Sequence, residues 1–220
     1  MLSQASRGLP RIDGIRLAAP VRMLRITPKP IPKPRQRTSL LPALAPTTDE
    51  LRALANPRGN LSLTQCEERA NAALHEAAHV VASCACTGAS VISLKVCTTR
   101  RWNGTGRVRS CQMYEDEECF VRLVGACWEY RHGALICAGG DEQAAAPLLA
   151  RFPYVRQQAE AFIVAHDALI RRVAHAVLRL ADRKGELGGR KMIKLEAEIR
   201  LHVRPYRSAQ ARTESVQMGR

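Results

Sequence analysis

The chain contains no run of roughly 18 apolar, uncharged residues, the minimum for a membrane-spanning helix. Its most apolar stretch, residues 77–96, is interrupted by His79, Thr87, Gly88 and Lys95. The N-terminus alternates arginine with apolar residues and has no continuous hydrophobic region, so no secretory signal is visible in it. It is acid-poor and arginine-rich, as organelle transit peptides are, but its proline density suits a helical presequence badly. No Cys-x-x-Cys pair occurs among the eight cysteines, which argues against a zinc ribbon or a thioredoxin-like redox site. Without a secretory signal, these thiols are expected to stay reduced and to serve as small apolar residues in a cytoplasmic protein. A Walker A string is absent too.

What is present is unevenly distributed. There are 34 Lys and Arg against 20 Asp and Glu, a formal charge of +14. Residues 1–48 hold nine of the basic residues and a single acid, Asp13, and nine of the twelve prolines fall at or before Pro57. Composition therefore divides the chain into a basic, proline-rich leader (1–60), a globular domain (61–205) and a flexible C-terminal tail (206–220). The Lys-Pro-Ile-Pro-Lys-Pro string at 29–34 favours extended polyproline II. Such a leader is expected to be mobile and to make weak electrostatic contact with nucleic acid or acidic surfaces. No aromatic residue is interleaved with its charges, so base stacking has no support.

Periodicity predicts a mainly α domain with a small β element. Thr64 and Glu67 have the spacing of a capping box, opening a helix that runs to about Cys86. Residues 91–97 are β-branched enough for a strand, 100–106 supply a turn, and 107–112 return as its partner. A helix with an acidic first turn covers 115–131, and a short one runs from Gly139 through Leu149. A long amphipathic helix covers 154–183, residues 185–189 break it, and 191–201 form a last helix.

The chemically specific string is His75-Glu76-Ala77-Ala78-His79. On a helix, residues four apart share a face, so both imidazoles can hold one Zn²⁺. Glu76 beside the first ligand is placed to act as general base toward water. A catalytic zinc also needs a third protein ligand. No acid occurs between Glu76 and Glu115, so the candidates are the 115–118 cluster, Glu129, His132 and Asp141. The cluster reads more simply as a helix start, and Glu129 and His132 as supporting groups. Asp141, after two glycines at a helix start, is preferred, with Glu129 the remaining alternative.

Leu74-His75-Glu76-Ala77-Ala78-His79-Val80-Val81 resembles the H-E-A-G-H helix of the FtsH-like zinc metalloproteases. Three further segments follow in that family's order. Residues 91–108 resemble its strand, turn and strand. Leu123-Val124-Gly125-Ala126-Cys127-Trp128-Glu129 resembles its L-x-G-x-x-A-E helix, and Ala138-Gly139-Gly140-Asp141 its T-G-A-x-x-D segment. The C-terminal 169–195 is similar to its last helices. The resemblance implies an FtsH-protease-domain-like helical fold, with zinc held by His75, His79 and Asp141 and with Glu76 as base. It also implies unfolded or peptide substrates, here with no ATPase in the chain and so a possible ATPase partner in trans. Ala78 replaces the family's glycine, and Trp128 and Tyr130 stand where it has small and acidic residues. An extended substrate would then add to the small sheet at 91–97. Two other readings are a catalytically silent zinc-binding adaptor and a nucleic-acid-associated protein dominated by its leader.

Overall fold

A computed structural model describes residues 39–86, 88–96, 104–110, 113–134 and 138–208. Its elements are α1 (Thr48–Ala55), α2 (Leu63–Ala85), β1 (Ala89–Val96), β2 (Gly104–Ser110) and α3 (Glu115–His132). They continue with α4 (Ala138–Arg151), α5 (Tyr154–Leu180), β3 (Glu186–Gly188) and α6 (Gly189–Arg200). The architecture is mainly helical with a small antiparallel sheet, as the periodicity predicts.

Helix α2 lies at the centre and packs on α1, α3, α5, α6 and both long strands. Its alanines make this possible. Ala70, Ala72, Ala73, Ala77, Ala78, Ala82 and Ala85 are all buried, so neighbours approach closely on several sides. The helix begins two residues earlier than expected. Ser62, not Thr64, is the N-cap, and Gln65 returns the capping box through the Ser62 N–H. Asn56 explains the shift: its side chain brackets Leu61 through both the carbonyl and the N–H and delivers the chain into the helix there.

The sheet order is β2-β1-β3, all antiparallel, with Val91 opposite Val108 and Leu94 opposite Leu187. The β1–β2 register shifts between Val91 and Ser93, and the buried alternation of β1 slips with it, from Val91 to Leu94. The segment expected to be a plain break, 185–189, contains β3. Gly185 turns the chain at φ 76°, and Asp182 Oδ1 accepts from the Lys184 and Glu186 N–H groups, so the turn leads directly into the strand. β1 is therefore the middle strand and not an edge.

The packed body also starts before residue 61. Helix α1 is capped by Thr47 and Glu50 and buries Leu51 and Ala55 completely. Ahead of it, Leu40 and Leu41 donate their N–H groups to the Glu198 carboxylate at 2.8 and 3.2 Å, and Ser39 donates its hydroxyl to the same group. Arg172 and Arg179 of α5 hold the Pro42 and Leu40 carbonyls. A division at residue 60 by composition thus cuts through folded structure. At the other end, Tyr206 stacks on Phe120 with ring centroids 4.1 Å apart, and Ser208 donates to buried Asp116, so these residues belong to the body. The stretch 1–38, which carries most of the leader, lies outside the described residues.

Five of the cysteines, Cys66, Cys84, Cys86, Cys119 and Cys127, are free and buried. Burial pushes the Cys119 and Cys127 thiols up to about 11, which suits inert packing groups. The other three lie outside the described residues. Among the described residues no helix is long and apolar enough to cross a membrane.

Candidate metal centre

Helix α2 places His75 and His79 one turn apart, and their Nε2 atoms lie 3.0 Å from each other. Asp141, in the first turn of α4, brings its Oδ2 to 3.0 Å from His75 Nε2 and 3.2 Å from His79 Nε2. Four ligands around zinc at about 2.0–2.1 Å are separated by edges of about 3.3 Å. The three atoms therefore already sit close to three corners of such a polyhedron.

The hydrogen bonds behind the rings fix what these corners offer. His79 Nδ1 lies 2.7 Å from the Val121 carbonyl oxygen, which can only accept, so Nδ1 carries the proton and Nε2 keeps its lone pair. His75 Nδ1 lies 2.7 Å from Oε1 of Glu129, a fully buried carboxylate. The oxygen is off the line of the ring N–H, so this contact is an electrostatic pairing rather than a well-aligned hydrogen bond. It still favours the proton on Nδ1. Two imidazole lone pairs and a carboxylate oxygen thus face one another with no donor between them, an arrangement that suits a cation.

The same contacts shift the titration of these groups. Burial draws the His75 pKa down, but the Asp141 and Glu129 carboxylates outweigh it and lift it to about 9. Burial pushes the Asp141 carboxyl up, and contact with the two histidines more than reverses this, holding it well below the usual carboxylate range. Glu76 is buried beside His75 and forms no hydrogen bond with another described residue. Burial raises its pKa, against the opposing pull of His79 and His75.

Gly125 of α3 closes one wall. A Cβ there would stand 2.3 Å from His79 Nε2 and 2.8 Å from His75 Cε1, so the imidazoles occupy the space that any other residue would fill. Gly125 and Glu129 are one turn apart on α3; the first faces both rings and the second faces His75.

Of the carboxylates weighed as third ligand, Asp141 is the one whose oxygen faces both Nε2 atoms. Glu129 meets the opposite nitrogen of His75. His132 lies elsewhere, 3.1 Å from Asp167 and stacked on Trp128. The 115–118 cluster builds the start of α3: Glu117 accepts from the Tyr114 N–H, Asp116 is buried against Tyr154, and Glu115 and Glu118 pair with Arg151 and Arg122. Trp128 is packed in the core, whereas Tyr130 is half exposed and donates its hydroxyl to Glu142. The Val121 carbonyl and the wall at Gly125 have no signature in the sequence beyond the Gly125–Glu129 spacing.

No family model, curated protein or solved structure matches the chain. The likeness to FtsH-type proteases rests on the motifs and their order alone.

Proposed function

We propose that the chain is a zinc-dependent metallopeptidase that hydrolyses peptide bonds of unfolded or extended substrates. The observation that carries this reading is the convergence of His75, His79 and Asp141, the last 62 residues from His79, on one point beside Glu76. A centre that only bound metal would have no use for Glu76, a carboxylate buried beside the first histidine.

Zinc, when bound, would supply Lewis acidity, lowering the pKa of water and polarising a carbonyl oxygen. His75 and His79 would hold it through Nε2 and Asp141 through Oδ2. Glu129 and the Val121 carbonyl keep both rings in the ligating orientation. Glu76 accepts the proton of the attacking water on its carboxylate and returns it to the leaving amine. Because β1 is paired on both sides, the substrate backbone would pair with the outer edge of β2 instead. An ATPase in trans would deliver unfolded chains, in the cytoplasm.

The test compares the wild type with Glu76→Gln on an unfolded casein substrate at matched zinc content. Loss of the base should lower the cleavage rate by about 10²–10⁴-fold with zinc retained. Equal rates in the two proteins would remove the enzymatic mechanism.

A further inference from the structure

We propose that Tyr130, Glu142 and Arg156 form a latch that positions Asp141 as third metal ligand and so sets how tightly the centre holds its metal. The inference rests on the metal centre described above and names residues outside it.

Helix α4 packs on α3 and sets Leu148 and Leu149 against the core, but its first turn, which carries Asp141, is built on glycine. Its opening residues include Gly139 and Gly140, and a side chain at either would meet nothing within 4 Å among the described residues. Glycine in a helix also costs about 1 kcal/mol relative to alanine. Pro147 removes a hydrogen-bond donor from the helix interior. Ala145 is the one fully buried side chain among the described residues of α4. A ligand presented from such a helix needs outside support.

Glu142, the next residue after Asp141, receives that support from two helices at once. Tyr130 of α3 donates its hydroxyl to Oε2 at 2.7 Å, and Arg156 of α5 donates Nη2 to Oε1 at 2.8 Å. Both oxygens of Glu142 are thereby tied to different helices. Tyr130 lies on the same helix as Val121 and Glu129, which hold His79 and His75 respectively. The latch therefore joins the frame of the histidines to the frame of the aspartate. This gives Tyr130, one of the departures from the resembled family, a positioning role.

The test is Zn²⁺ affinity of the full chain, measured by competition with a chromophoric chelator, together with the melting temperature of the metal-free protein. Glu142→Ala should weaken Zn²⁺ binding by about 10–100-fold, the range for loss of groups that orient metal ligands. Tyr130→Phe should weaken it less, and Glu142→Gln should recover part of the loss. Arg52→Ala, which breaks the α1–α2 pair with Glu67, should leave it unchanged. Metal-free melting temperatures should stay near the wild type in all four, since partly exposed ion pairs contribute little. Wild-type affinity in Glu142→Ala and Tyr130→Phe, with binding lost in His79→Ala, overturns the latch and leaves the centre standing. Zn²⁺ binding that survives unchanged in both His75→Ala and His79→Ala removes the centre and the latch with it.

Discussion

At Gly125 a single hydrogen atom in place of a methyl group lets two imidazoles meet. The rings cannot step aside, because His79 is held by the Val121 carbonyl and His75 faces Glu129. Gly125→Ala should therefore overpack the site, at a cost of about 1–3 kcal/mol, and push the Nε2 atoms out of register. We expect a lower melting temperature and weaker Zn²⁺ binding, measured on the same preparation. An alanine variant with both unchanged would mean that the rings have room the geometry denies them. At this scale the sequence is legible where a fixed period does the work. His75, Glu76 and His79 follow from helical spacing alone, whereas Asp141 could only be preferred among several acids. Gly125 falls within the segment that resembles L-x-G-x-x-A-E, but what it does stayed hidden, because a helical glycine reads as a propensity penalty until its neighbour across the interface is known.

Among the elements, the strap at 39–46 has the clearest dependence on one side chain. Burial raises the Glu198 pKa, but hydrogen bonds from Ser39, Leu40 and Leu41 outweigh this and hold it below the usual range. A carboxylate depressed in the folded state stabilises the protein above its unfolded pKa, and that contribution is lost as pH falls through the folded value. The strap should thus be secure at neutral pH and loosen in acid below the ordinary glutamate range. Glu198→Ala should cost about 1–2 kcal/mol at pH 7 and speed amide exchange at Leu40 and Leu41, with the difference from wild type vanishing in acid. Exchange rates equal to wild type at pH 7 would contradict this. The strap and α1 were illegible from composition, since Pro42 and Pro46 look the same in a docked strap as in a free leader. The three-residue β3 was equally hidden: Glu-Leu-Gly carries no strand pattern, and only its pairing with β1 defines it.

Across the whole molecule, composition and periodicity were enough for a mainly helical domain with a small sheet, because long amphipathic helices announce themselves locally. Neighbour relations were not legible. That α2 is central, that β1 is the middle strand, and that α3 supplies the wall and α4 the carboxylate depend on tertiary packing between distant segments. The charge of +14 is a property of the chain rather than of the centre, whose chemistry depends on two imidazoles and a carboxylate. Cysteine is the other common zinc ligand, and three of the eight cysteines lie outside the described residues, so the decisive question is which atoms surround the metal. X-ray absorption spectroscopy of the zinc-loaded full chain answers it directly. The account predicts one zinc per chain with nitrogen and oxygen neighbours at about 2.0–2.1 Å and the multiple-scattering signature of two imidazoles. A sulfur shell at about 2.3 Å, or a chain that retains no zinc, would contradict it.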